Sequence, residues 1–355
     1  MTIITPIPHS KPCLGKDEIS AVTDMIKKRM LSSGEEVQKF ESEFKKYIGV
    51  KYSSAVNSGT AALHLSLLAL NIKAGDEVII PTFVCTALLN AVNYTGAMPV
   101  ITDVSPDDGN ITLQDVKKKL TKKTKAVIVP HMFGSPADVK GIASLGVPVI
   151  EDCAQAIGAE LNNRKAGTMG QISIFSFYAT KMMTTAEGGM VLSNDRRLIE
   201  KINDLRSYDH RDYYKVRFNY KMTDIAAAIG RCQLLKIESF IKSRRAIADY
   251  YRKKIESGKL IHPAEKAGTR HVFFRYVIKL NNMTAIKAVA RFKKSGVNAE
   301  LPLYLPLHRY LRLDRKNYSG AENLYREALS IPIYPDLKKI EMNKVASSAK
   351  EIIIG

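Results

Sequence analysis

Val149-Ile150-Glu151-Asp152-Cys153-Ala154-Gln155 reads as a short buried strand that ends in a carboxylate. Its apolar start after Pro148 predicts a strand over Pro148–Asp152. A carboxylate at the C-terminal end of such a strand faces the crevice where open α/β sheets bind ligands. Asp152 is placed there to pair with a buried cation, and Gln155 lies about one helical turn further on. A simple helix N-cap is the competing role for the aspartate. On either side, similar runs predict strands at Tyr52–Val56, Glu77–Pro81, Met98–Asp103, Ala126–Pro130, Ile172–Phe177 and Gly189–Ser193. Amphipathic stretches such as Thr60–Leu70 separate several of them. This alternation predicts an α/β fold: a mostly parallel sheet flanked by helices in a large domain. The last three strands follow one another closely, so the sheet is expected to be mixed, with an antiparallel part.

Beyond the sheet, Thr223 to about Ser257 carries a long helical pattern with Thr223 as its N-cap, expected to bend or break once. A strand over Val272–Leu280, a helix over Ala285–Ser295 and a Pro-rich segment, Leu301–His308, then predict a smaller C-terminal α+β domain. The division is placed within the long helix, giving domains 1–240 and 241–355.

The 355 residues are 45% hydrophobic and 25% charged, which excludes disorder as a description of the whole chain. No apolar run is long enough for a membrane span, and Met1–Gly15 lacks the features of a signal peptide, so a cytoplasmic protein is expected. The four cysteines form no CxxC pair or Cys/His cluster with metal-ligand spacing; four reduced thiols and no metal are expected. Lys and Arg outnumber Asp and Glu by 54 to 35, a net charge of +19. Such a balance suits nucleic-acid phosphates, the steering of small anionic substrates, or a host that simply favours lysine.

Two further stretches carry chemistry. In Asn57-Ser58-Gly59-Thr60, between a strand and a helix, Gly59 allows close backbone approach and Thr60 sits where free helix N–H groups point outward. That is an anion site suited to phosphate, or a plain N-cap. In Phe175-Ser176-Phe177-Tyr178-Ala179-Thr180-Lys181, a lysine follows a buried strand, and Gly188-Gly189 close a tight turn after it. Desolvation lowers the pKa of such a lysine and frees its amine for Schiff-base chemistry. A phosphate cradle, an aspartate for a ring nitrogen and a reactive lysine are what pyridoxal phosphate requires of a protein.

Together these stretches resemble the sugar-nucleotide aminotransferases of the DegT/DnrJ/StrS family, in the aspartate-aminotransferase-like (fold type I) group of pyridoxal-phosphate enzymes. Further motifs of the resemblance are Pro81-Thr82-Phe83, Glu187-Gly188-Gly189, Asn219-Tyr220-Lys221-Met222-Thr223-Asp224 and Pro306-Leu307-His308. The resemblance implies that Lys181 is the catalytic lysine and that Asp152 keeps the pyridine nitrogen protonated. It implies that Gln155 contacts the ring hydroxyl, that Phe83 lies against the ring face, and that Gly59, Thr60 and Ser176 hold the phosphate. Asn219 would reach the phosphate of a neighbouring subunit, implying a homodimer with shared active sites. His308 would lie near the sugar. The implied reaction moves an amino group from L-glutamate to a nucleotide-linked keto-sugar, for a surface polysaccharide or a secondary metabolite.

Some positions depart from the pattern. Ala186 stands where glycine is usual, Met182 where asparagine often follows the lysine, and Arg217, Lys221 and Leu301 replace glycine, arginine and arginine. They bear on substrate recognition and leave the cofactor residues intact. A family branch with histidine in place of the lysine performs a dehydration; Lys181 argues against it. The segment Arg206 to Lys221 mixes cations with aromatics, Arg211 and Tyr213 among them, and suits a nucleotide diphosphate through charge and stacking. It equally suits single-stranded nucleic acid, the basis of an alternative reading as a nucleic-acid-binding regulatory protein, or an exposed loop. Lys117, Lys118, Lys119, Lys122, Lys123 and Lys125 read as a solvated helix face and loop.

Overall fold

A computed structural model describes residues 6–354. Residues 1–5 and 355, the outer ends of the two expected domains and part of the stretch read for a signal peptide, lie outside the described residues. Seven strands form the main sheet: β1 (Tyr52–Val56), β2 (Glu77–Pro81), β3 (Met98–Thr102), β4 (Thr124–Pro130), β5 (Val149–Asp152), β6 (Ile172–Ser176) and β7 (Gly189–Ser193). Their order is β1-β7-β6-β5-β4-β2-β3. The run from β6 to β3 is parallel throughout, and β7 is antiparallel to both its neighbours. Residues 177–188 form a folded turn rather than a crossover helix, so β7 returns beside β6 in the opposite sense. The sheet is mixed, as its spacing suggested.

The helix Gly59–Ala69 after β1 carries no charged residue and buries Ala61 to Leu67 in an unbroken row. A helix apolar on all sides is stable only when enclosed. Gly59 and Thr60 open that helix, so their place is set by packing behind them.

The long helix Asp224–Lys254 is capped by Thr223, whose hydroxyl accepts the Ala226 N–H at 3.2 Å. It runs 31 residues without the expected break. Its buried side continues because two cores share it. Leu234, Ile237, Phe240 and Ile241 pack with Phe40, Phe44 and Phe177. Ile247, Ala248 and Tyr251 pack with Tyr276, Phe292 and Leu329 around a second sheet. That sheet has three antiparallel strands, β8 (Leu260–Ile261), β9 (Tyr276–Leu280) and β10 (Ala328–Ile331). The change of core falls between Ile241 and Ile247, and we place the division of the chain there. Ile7 joins the second core and pairs with Val297, so the N-terminal segment crosses from the larger unit to the smaller.

The strand expected over Val272–Leu280 is shorter and begins at Tyr276. Phe273 has φ 48°, in the left-handed region. The Val272 and Arg275 N–H groups turn aside to the carbonyls of Gly134 and Phe133. Among the described residues no helix is long and apolar enough to cross a membrane.

Candidate active site

The C-terminal ends of the parallel strands converge on one crevice, the ligand-binding edge of an open α/β sheet. Asp152 is the last residue of β5 and is buried. Its Oδ1 accepts the Ala154 N–H at 3.0 Å, and Oδ2 has no partner among the described residues. Burial raises its pKa, opposed by that N–H and by the charge of Lys181. Lys181 is held in the turn after β6, its own N–H donating to Tyr178 O at 2.9 Å. Its side chain is half-buried, with the ammonium 5.3 Å from the centre of the Phe274 ring. Withdrawal from water pushes the amine below the usual lysine range, and the nearby Asp152 opposes this.

Across the crevice, Ser58 caps the helix Gly59–Ala69 by accepting the Ala61 N–H at 3.1 Å, and Ala62 bonds back to Ser58 O. The N–H groups of Gly59 and Thr60 have no partner among the described residues, and no acidic side chain stands in the first turn. Gly59 lies against the end of β6: a Cβ placed on it would fall 2.9 Å from the Ser176 Cβ. These groups fit pyridoxal phosphate: free N–H donors for its phosphate, an unpartnered carboxylate oxygen for its ring nitrogen, and a desolvated amine for its carbonyl carbon. Gln155 is oriented by Phe133, whose N–H donates to Oε1 at 2.9 Å, leaving the amide NH2 as its free end.

The remaining expected residues lie around this crevice or beyond it. His308 is fully buried. Its Nδ1 meets Thr82 Oγ1 at 2.7 Å, its Nε2 meets Glu322 Oε1 at 2.7 Å, and its ring stacks on Tyr318. Thr82 Oγ1 also accepts the His308 N–H, so the hydroxyl donates to Nδ1 and Nε2–H donates to the carboxylate. Both ring nitrogens are committed to protein partners, and His308 ties the end of β2 to the C-terminal segment. Phe83 is not brought to the crevice surface: it is fully enclosed in the main core, edge-on to Phe133. The Asn219 side chain is exposed, and its carbonyl accepts from Asn57 Nδ2 at 3.2 Å, beside the phosphate loop of its own chain. Arg211 and Tyr213 lie on the exposed loop after Leu205. There Asp204 gathers Arg211, Lys215 and Arg217, the last also over the Tyr213 ring.

Behind Asp152, the buried trio His131, Glu151 and Cys153 offers metal-ligand atoms within 4.8 Å of one another. The protein itself engages the histidine and the glutamate. Glu151 accepts N–H bonds from Gly167, Met169 and Gly170, and His131 Nδ1 accepts that of Ala137, leaving Nε2–H for Glu151. Sequence reading missed Arg275, which projects into the crevice; a lone arginine inside the apolar run Val272–Leu280 was the available signal.

The sequence of this chain matches the model of the DegT/DnrJ/EryC1/StrS aminotransferase family over residues 12–350. The chain belongs to that family. It is therefore an aminotransferase, and its cofactor is pyridoxal 5′-phosphate. It is 35% identical to GDP-perosamine synthase of Escherichia coli O157:H7, covering 97% of this chain and 98% of that protein. It is 33% identical to UDP-N-acetyl-3-dehydro-alpha-D-glucosamine 3-aminotransferase of Acidithiobacillus ferrooxidans, covering 91% and 90%. The crystal structure of the aminotransferase TlmJ from Streptoalloteichus hindustanus superposes with a TM-score of 0.92 at 30% identity, over 98% of this chain and 99% of that one. Family membership accords with the fold type I architecture described above.

Proposed function

We propose that this aminotransferase moves an amino group from L-glutamate to a nucleotide-linked keto-sugar, producing an amino sugar. The observation that carries it is the meeting, in one crevice, of the Lys181 amine, the free oxygen of Asp152 and the unpartnered N–H groups of Gly59 and Thr60. The names of two relatives support the substrate class, one a GDP sugar and the other a UDP-linked dehydro-sugar.

Bound here, pyridoxal phosphate supplies an electron sink for the negative charge left when the donor Cα loses its proton. Gly59 and Thr60 would take the phosphate on their N–H groups, with Ser176 closing the cradle from β6. Asp152 would hold a proton at the ring nitrogen, and Gln155 would turn its NH2 to the ring hydroxyl. Lys181 would hold the cofactor and then, as a free amine, carry a proton from Cα in the first half-reaction and return one in the second. Its lowered pKa keeps more of that amine unprotonated near neutral pH. The exposed Asn219 would serve a neighbouring copy in a homodimer. Exposed apolar side chains at Ile19, Ile26 and Leu235, on two helices packed together, support an interface.

The test is spectroscopic. Protein loaded with pyridoxal phosphate should absorb in the visible, lose that band with glutamate, and regain it with a nucleotide keto-sugar whose product gains the mass of the exchange. Lys181→Ala should bind the cofactor and fail both steps. Turnover at an unchanged rate by that variant would overturn the role of the lysine.

A further inference from the structure

We propose that Arg275 binds a carboxylate of the amino-acid donor, and that Glu300 is its resting partner, displaced as the donor enters. The inference rests on the transamination proposed above and adds the residue that recognises its donor.

Arg275 stands at the partition of two cavities in the crevice. One, of about 430 Å³, is walled by His9, Thr180, Phe274, Lys293 and Glu300. The other, of about 560 Å³, includes Cys85 and Leu301. Thr180 is the neighbour of Lys181, and the charge of Arg275 acts on the Lys181 amine. Arg275 and Thr180 line one cavity, so a carboxylate on this guanidinium shares that cavity with the turn that holds the reacting lysine.

The guanidinium is only 22% exposed yet poorly partnered. Its polar contacts are Glu300 Oε2 at 3.5 Å and His9 Nε2 at 3.4 Å, both at the far edge of hydrogen bonding, and it lies 5.8 Å from the centre of the Phe274 ring. A planar fork of five N–H donors, most of them uncommitted and facing a cavity, is matched by a carboxylate taken bidentately. Glu300 is 52% exposed and splits its oxygen between His9 and Arg275, each at a long distance. Half-solvated and loosely held, it gives way to a better-placed carboxylate at little cost.

The turn that carries Arg275 is rigid. Its N–H donates to Phe133 O, and the buried Arg244 donates to the carbonyls of Phe273 and Phe274. Phe133 also orients Gln155, so one residue places both side chains. Lys293 lines the same smaller cavity and offers a second cation, suited to a donor with two carboxylates.

Glutarate, a five-carbon dicarboxylate without an amine, is the probe. Its binding to the pyridoxal-phosphate-loaded enzyme is measured by calorimetry for wild type, Arg275→Gln, Arg275→Lys and Glu300→Gln. Arg275→Gln should bind roughly 10–100-fold more weakly, Arg275→Lys should fall between, and Glu300→Gln should bind more tightly. The glutamate concentration that half-bleaches the visible band should rise in Arg275→Gln, while the KM for the keto-sugar stays put. Wild-type glutarate affinity in Arg275→Gln, or a loss confined to the keto-sugar, would overturn the proposal. Thermal melting of the variants separates misfolding from lost binding, with Arg275→Lys keeping the charge. If no amino acid bleaches the wild type, transamination itself fails; if glutamate bleaches wild type and Arg275→Gln equally, only the arginine's role fails.

Discussion

Gly59 and Ser176, on different elements and far apart in sequence, touch so closely that a Cβ on the glycine would lie 2.9 Å from the serine Cβ. That approach joins the first turn of the helix after β1 to the end of β6 and makes two segments into one cradle. Gly59→Ala is expected to force them apart. Overpacking of this kind costs about 1–3 kcal/mol. Cofactor affinity, followed by titrating the visible band, should fall by roughly tenfold or more. Unchanged affinity would place the phosphate elsewhere.

Asp152→Asn keeps the shape and the oxygen that accepts the Ala154 N–H, and removes only the charge. The variant should load with cofactor yet lose about 10²–10³-fold in the rate at which glutamate bleaches it, by the scale of electrostatic stabilisation. Stopped-flow absorbance checks this.

We propose that His308 acts as a clamp between Thr82 and Glu322, so His308→Gln should damage stability and spare the substrate. Glu322 and Thr82 lose a shared buried partner, worth about 1.5–3 kcal/mol. Urea unfolding should show the loss, while the keto-sugar KM moves by less than about twofold. A large KM change at unchanged stability would restore the sugar role.

Ala186 has φ 68°, in the left-handed region that glycine adopts without strain. It lies in the turn between Lys181 and β7, its N–H held by Thr184 Oγ1 at 2.9 Å. Ala186→Gly should relieve the Cβ clash and raise stability by about 0.5–1 kcal/mol after the added freedom of the unfolded chain. The denaturation midpoint reads the sign directly.

Burial lowers the pKa of His9 and His271 from 6.5 to about 3. Between those values the unfolded chain binds protons that the folded chain refuses. Their contribution to stability is therefore complete above pH 6.5 and is lost as pH falls toward 3, by about 1.4 kcal/mol per unit for each histidine. Glu18 and Glu322, lowered to about 2, add acid sensitivity only below about 4.5. Melting between pH 7.5 and 5 thus separates the histidines from these carboxylates, with His64, His262 and His308, also lowered by burial, adding to the same slope. His271→Asn, whose amide oxygen can still accept the Phe273 N–H, should flatten that slope.

The residues that meet at the crevice were legible because strand ends advertise themselves. An apolar run that stops at Asp152, or a glycine between β1 and its helix, is a local signal of where backbone meets crevice. β1, β2 and β7 begin and end where their apolar patterns do. His308 is ambiguous in sequence because a histidine beside a proline-rich loop looks the same whether it faces a ligand or a half-buried carboxylate. Its partners Thr82 and Glu322 belong to separate segments, and only their meeting decides. The long helix is unbroken where its pattern suggested a bend or a break, because two successive cores bury one continuous side.

By itself, then, the sequence determined the α/β class, the mixed sheet and the residues fit to meet a phosphate, a ring nitrogen and a carbonyl. Each of those is written in periodicity and in the chemistry of residues at element ends. Tertiary structure alone decided what sits across the crevice. It brought Ile7 to the second core, shut His308 away, enclosed Phe83 and left Arg275 outside the expected strand, lining a cavity with Thr180. Those outcomes depend on burial and on partners distant in the chain, and neither is encoded in any one stretch of it.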